Sequence, residues 1–186
     1  FANKVIFATG DDGDKVLAQS IVNDSAIEFF VGSESNVYDR FYQVSKNYPS
    51  EYIVRVTCDN YLVQPEFLED IFNLVESQNA DYGFIEPLSH YCGEVIKASL
   101  FDDYRKPSKE AKEHVTWDFR NNDCISKVSL PPDYKGVDHS KSVTLDDIDD
   151  FILMKKIEST SNSFKKIRCV EALKKLNLVQ ISQRLA

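Results

Sequence analysis

Two aspartates stand where apolar runs end. Tyr52 to Thr57 is an apolar, β-branched stretch that stops at Cys58-Asp59-Asn60, and the shorter run SVTL stops at Asp146. Runs of this composition predict buried strands, and in open parallel α/β sheets ligands bind in the crevice beyond the carboxyl ends of the strands. Asp59 and Asp146 are then two carboxylates at such a crevice, far apart in sequence and able to converge in space. The chemistry open to such a pair is retention of Mg²⁺, a hard cation that takes one or two protein carboxylates, keeps several waters and bridges to substrate phosphates. An aspartate after a strand also serves as an Asx-turn residue or a helix cap, and spacing alone leaves these roles open.

The elements that must position these residues alternate regularly. KVIFATG (4–10) and AIEFFVG (26–32) predict strands, and between them DKVLAQSIVN carries Val16, Leu17, Ser20 and Ile21 at helical spacing. In SESNVYDRFYQVSKNY, Ser33 to Asn36 offer capping side chains, and Val37, Phe41 and Val44 form the expected inward stripe of a helix. The Tyr52 to Thr57 run is the third strand. PEFLEDIFNLVESQ (65–78) predicts an amphipathic helix with proline in its first turn, and DYGFIE (81–86) a fourth strand. Alternation of this kind favours an α/β fold with a mostly parallel sheet, because parallel neighbours need a crossover, usually helical. From Pro87 to Leu130 the pattern is less regular, with a helix expected over 107–122 and a strand at ISKVSL. PPDYKGVDHSK predicts a loop. The next stretch predicts a strand ending at Leu145, then a helix from about Asp147 with acidic residues at its positive end. A last helix would place Phe164, Ile167, Val170, Leu173 and Leu176 inward.

Bulk composition narrows the function classes. The chain has 186 residues, 42% hydrophobic and 28% charged, which suits one globular domain over 1–186. Its net charge of -8 argues against non-specific binding to nucleic acid or to an anionic membrane, since nothing neutralises the phosphate field. Cys58, Cys92, Cys124 and Cys169 form no CxxC pair, so reduced thiols are expected rather than a structural zinc or redox site. No apolar run approaches the roughly 20 residues that span a bilayer, and a cytoplasmic protein is expected.

The residues then resemble a known family. VRVTCDNYLVQPEFLEDI is similar to the "RVTGDNPLIDPE" segment of the bacterial cytidylyltransferases that make CMP-activated sugar acids, nearest to the branch named for spore-coat polysaccharide biosynthesis. That branch is similar to the CMP-3-deoxy-manno-octulosonate and CMP-acylneuraminate synthetases. KVIFATG resembles the branch's second strand, GSESNVYDRF its "GSEDDVLDRY", CGEVI its "G..vEVF", KEHVT its "REHVT" and TLDDIDDF its "TVDTPEDL". The segments occur in the family's order and cover nearly the whole chain.

The resemblance implies a three-layer, Rossmann-like nucleotide-diphospho-sugar transferase fold with a mostly parallel sheet. It implies a Mg²⁺-dependent enzyme in which a sugar-acid hydroxyl attacks the α-phosphate of CTP and pyrophosphate leaves, for surface polysaccharide biosynthesis. The family's two metal-binding, catalytic aspartates fall on Asp59 and Asp146. Arg40, Asn60, Glu94 and His114 fall on its substrate-binding positions, Arg40 toward nucleotide phosphates and Glu94 and His114 toward the sugar acceptor. For the residues themselves, a surface ion pair at Arg40 and a locally partnered helix-face histidine at His114 stay open. A homodimer through 87–130 is likewise implied.

Four departures bear on these expectations. The family's first strand and its basic phosphate loop, of the type "ARMGSTRLPGK", have no counterpart here, so an N-terminally truncated chain is expected, in which KVIFAT and YIVRVT pair directly, find a substitute or stay unpaired. Cys58 stands for the family's glycine, Tyr61 for its proline and Lys112 for the arginine of "REHVT". Two other readings remain: a non-catalytic relative that keeps the fold, and a nucleotide-sugar glycosyltransferase-like domain with a DxD-type metal motif.

Overall fold

The computed structural model describes residues 4–10, 15–16, 19, 27–103, 106–140 and 143–160. The expected helix over 14–23 falls almost wholly outside them, and the expected last helix and Cys169 fall outside entirely. The chain divides into two compact units, Phe1–Ile53 with Lys97–Ser126, and Val54–Ile96 with Lys127–Ala186.

In the first unit, β1 (Val5–Thr9) and β2 (Ile27–Val31) pair in parallel from Val5 against Ile27 to Thr9 against Val31. The Gly32 amide extends this ladder to the Thr9 carbonyl. Helix α1 (Val37–Asn47) starts as its sequence predicts: Asn36 is the N-cap and its Oδ1 accepts from the Asp39 amide at 3.1 Å, while Ser33 Oγ accepts from the Asn36 amide at 3.0 Å. The buried face differs from expectation. Tyr38, 2% exposed, is its buried residue, packed on Phe101 and Phe119, whereas Val37, Phe41 and Val44 are only half-buried. An aromatic triad that fills one cavity outweighs a stripe read from aliphatic spacing.

The helix expected over 107–122 is two short ones. Chain order here is α3 (Leu100–Asp103), α4 (Lys109–Glu113, capped by Ser108 Oγ on the Ala111 amide) and α5 (Trp117–Arg120). The break carries Val115 and Thr116, both essentially fully buried. β-Branched residues are stiff at χ1 and disfavour a helix interior, which fits a break at these two positions.

The second unit contains most of a four-stranded sheet ordered β3-β5-β4-β6, with β3 at Tyr52–Arg55, β4 at Tyr82–Ile85, β5 at Glu94–Lys97 and β6 at Lys127–Leu130. β4 runs parallel to β6 and antiparallel to β5. β5 has no strand-length apolar run, only Val95 and Ile96, both fully buried, and so escaped the sequence pattern. Thus β1 pairs with β2, and β3 lies beside β5. Helix α2 (Pro65–Gln78) buries Phe67, Leu68, Ile71 and Val75 at helical spacing and ends at Asn79 in the left-handed region, φ 47°. It approaches β4 closely: a Cβ on Gly83 would sit 2.3 Å from Val75 Cγ2.

One expected strand does not form. Residues 143–146 carry no ladder, and their amides bond elsewhere. The following helix α6 (Ile148–Thr160) begins close to the predicted point, with Asp147 Oδ1 accepting from the Asp149 and Asp150 amides and Asp150 Oδ2 reaching back to the Asp147 amide. This is a reciprocal capping box built from two aspartates.

Candidate active site

Arg55 ends β3, and the chain then turns through Cys58, Asp59 and Asn60. The turn closes on itself: the Asn60 amide donates to the Thr57 carbonyl at 3.2 Å, and the Tyr61 amide to the Asp59 carbonyl at 2.9 Å. The same Asp59 carbonyl accepts the Leu145 amide at 2.9 Å. That bond joins the Asp59 turn to the residue just before Asp146, so two acidic positions distant in sequence belong to one neighbourhood. Both side chains are exposed, and the Asp146 carboxylate accepts from the Thr144 hydroxyl.

A third residue belongs to this neighbourhood and was not singled out from the sequence. His90 lies between β4 and β5, and its Nδ1 accepts the Val143 amide at 3.3 Å. Burial pushes its imidazole below the ordinary histidine range, while the negative charges of Asp59 and Asp146 pull it back up. The one sequence signal was that His90 is among only three histidines in the chain.

The donor set suits a hard cation, two exposed carboxylates with hydroxyl and carbonyl oxygens close by and no thiolate available. Cys58 is exposed, yet its thiol is pushed up, by partial loss of solvent first and by the adjacent Asp59 charge second. Cys92 is buried and its thiol is raised to about 12, which keeps it protonated and inert. Among the described residues no group of three or more His, Cys, Asp or Glu side chains converges as a metal site. A cation at Asp59 and Asp146 would therefore complete its shell with water and ligand oxygens, as Mg²⁺ does.

The other candidates are distributed as follows. Asn60 sits in the Asp59 turn and is half-buried. Glu94 is 2% exposed, in a network with Arg55 Nη1 at 2.5 Å and the Tyr82 hydroxyl. Its carboxylate ties β5 to both neighbouring strands. Arg40 and His114 belong to the first unit. Arg40 donates from Nη1 to the Ser33 carbonyl at 3.2 Å and lies against Gly10 and Gly32, which follow β1 and β2. A Cβ on either glycine would meet Arg40 atoms at 2.9 Å, so the absence of side chains there makes room for the guanidinium at the carboxyl ends of a parallel pair. His114 is exposed at the C-terminal end of α4, its ring 6.5 Å from that of Trp117.

Comparison with known proteins gives first the fold. A cytidylyltransferase from Leptospira borgpetersenii serovar Hardjo-bovis superposes with a TM-score of 0.78 at 20% identity, over 92% of this chain and 76% of that one. Molybdopterin-guanine dinucleotide biosynthesis protein A from Archaeoglobus fulgidus has the same general architecture, at a TM-score of 0.59 and 16% identity over 84% of this chain and 79% of that one. The chain is an α/β domain of this Rossmann-like class. Residues 1–184 match the cytidylyltransferase family model, and the chain belongs to that family. It is 28% identical over 183 residues to the spore coat polysaccharide biosynthesis protein SpsF of Bacillus subtilis, covering 94% of this chain and 75% of SpsF. An uncharacterised protein of Methanocaldococcus jannaschii is 31% identical over 161 residues, 83% of this chain and 65% of that protein. Among the described residues, no helix is long and apolar enough to cross a membrane.

Proposed function

We propose that this chain contributes to a Mg²⁺-dependent transfer of CMP from CTP to a sugar acid, with release of pyrophosphate, in surface polysaccharide biosynthesis. Family membership supports nucleotidyl transfer, and the likeness to SpsF supports the polysaccharide context. The observation that carries the acidic site is the Leu145 amide bond to the Asp59 carbonyl, which draws the two aspartate-bearing segments together.

Asp59 and Asp146 are the residues that would hold Mg²⁺, which when bound offsets negative charge on the phosphates and on the departing pyrophosphate. In the reaction a bond forms between the acceptor hydroxyl oxygen and the α-phosphorus, the α–β phosphoanhydride bond breaks, and the hydroxyl proton leaves. Protein side chains do little covalent work, so positioning and charge supply most of the acceleration. Arg40, at the ends of β1 and β2, has the charge and planar donor fork to meet a phosphate. Asn60 offers an amide beside Asp59, and His114 an exposed imidazole for an acceptor hydroxyl or carboxylate. Glu94 acts through Arg55, on the strand that leads to the Asp59 turn.

The test is a pyrophosphate-release assay with CTP, Mg²⁺ and either 3-deoxy-manno-octulosonate or an acylneuraminate. Release that requires both acceptor and Mg²⁺, and that Asp59→Asn removes, supports the reading. Release that Asp59→Asn leaves intact contradicts it.

A further inference from the structure

We propose that His90 is the positioning residue that sets Asp146 against Asp59: by accepting the Val143 amide it fixes the 143–146 segment and thereby tunes the affinity of the acidic pair for a divalent cation. The inference rests on the reading of Asp59 and Asp146 as the cation-holding pair.

Segment 143–146 has no strand partner to hold it. Two of its amides, two residues apart, bond to other segments: Val143 to His90 Nδ1 at 3.3 Å and Leu145 to the Asp59 carbonyl at 2.9 Å. Asp146 follows directly. The Asp146 amide donates in turn to Asp150 Oδ2 at 3.1 Å, so the His90 and Asp59 bonds fix the position and direction of the chain that leads into Asp146 from its N-terminal side.

The His90 end of this tie is itself rigid, because each residue of 89–91 is fastened to a different segment. Ser89 Oγ bonds His139 Nδ1 at 2.6 Å and accepts the Tyr91 amide at 3.1 Å, and the Tyr91 carbonyl accepts the Gln64 amide at 2.8 Å. Gln64 in turn is the residue that precedes α2, whose first turn follows the Asp59 loop. The tripeptide 89–91 therefore bonds to Gln64, which follows the Asp59 turn, and to His139 and Val143, which precede Asp146. The ring's role is also fixed chemically. A backbone N–H only donates, so His90 Nδ1 carries no proton when the bond is made, and the ring proton lies on Nε2.

The experiment compares the full chain with His90→Ala, His90→Asn and His90→Gln. Asparagine keeps an acceptor near the Nδ1 position; glutamine carries its amide out toward Nε2. Mn²⁺ alone is titrated and followed by electron paramagnetic resonance, and amide hydrogen exchange at Val143 and Leu145 is measured without metal. The proposal expects faster exchange at both amides and about tenfold weaker Mn²⁺ binding in His90→Ala, the equivalent of one net hydrogen bond, with both restored in His90→Asn. If His90→Ala does not fold, the contrast between a rescued asparagine and an impaired glutamine variant carries the same weight. Wild-type Mn²⁺ binding with unchanged affinity in His90→Ala, or equal behaviour of the asparagine and glutamine variants, overturns the role of His90 and leaves the acidic pair standing. Failure of the wild-type chain to bind Mn²⁺ overturns the acidic pair, and the role of His90 with it.

Discussion

Arg55 Nη1 lies 2.5 Å from Glu94 Oε2, joining the last residue of β3 to the first of β5, and the Glu94 side chain is only 2% exposed. On its other oxygen the carboxylate accepts from Tyr82 of β4, so one buried charge fastens three strands. Arg55 is four residues before Asp59. The sheet is therefore cross-linked close to where the chain departs for the acidic turn.

Truncating Glu94 should be costly. Glu94→Ala removes the carboxylate that bonds both the Arg55 guanidinium and the buried Tyr82 hydroxyl, and breaking one partner of a buried pair costs roughly 3–5 kcal/mol. Urea denaturation of the variant checks this. A loss under about 1 kcal/mol, the scale of an exposed ion pair, would contradict the burial argument.

Gly93, just before β5, packs against the backbone at the end of β3. A Cβ there would sit 2.3 Å from the Arg55 carbonyl oxygen and 2.9 Å from Leu68 Cδ2. Backbone cannot yield as a flexible side chain does, so Gly93→Ala should destabilise by about 1–3 kcal/mol, as overpacking does. Thermal unfolding measures it, and Ala at the exposed position Asn121 is a suitable control.

Adjacent aspartates at 146 and 147 should separate into two roles. Asp147 caps α6 through two backbone amides, so Asp147→Ala should lose about 1 kcal/mol of stability and keep divalent-cation binding. Asp146→Asn should keep stability and lose cation binding. Denaturation and Mn²⁺ titration of both variants give four numbers, and the reverse pattern would show that the two positions have been exchanged.

Acid should destabilise the fold through His139. This ring is 1% exposed, its Nδ1 bonded to Ser89 and its Nε2 donating to the Tyr134 carbonyl at 3.1 Å. Burial lowers its affinity for a proton, against weaker opposing contributions from the Tyr134 carbonyl and from Asp138 and Asp133. With the folded pKa depressed below the unfolded value of about 6.5, the neutral ring costs nothing above that pH. Below it the unfolded chain binds a proton that the folded chain resists, so stability falls as pH drops. Unfolding free energies at two pH values on either side of 6.5 should differ more in wild type than in His139→Gln; equal differences would remove His139 as the cause.

Much of this molecule is legible in its sequence, and what is not has particular causes. The start of α1, the span of α2 and the capping of α6 follow from local side-chain chemistry, which depends only on neighbours in the chain. β5 was missed because two buried apolar residues suffice for a central strand when both neighbours supply its ladder. The strand predicted before Asp146 does not form because the Val143 and Leu145 amides bond to His90 and Asp59, partners no local pattern encodes. The same fact hid His90: its significance lies in contacts with residues more than thirty positions away on one side and fifty on the other. Asp59 and Asp146 stand out as candidates in the sequence because a carboxylate that ends an apolar run is a local signal.

The central claim is that Asp59 and Asp146 hold a cation for a nucleoside triphosphate. Calorimetric titration of CTP into this chain, with and without Mg²⁺, tests it most directly. The account predicts binding that requires Mg²⁺ and disappears in Asp59→Asn, while the variant keeps the wild-type unfolding curve. CTP binding of equal strength without Mg²⁺, or unchanged in Asp59→Asn, would contradict it.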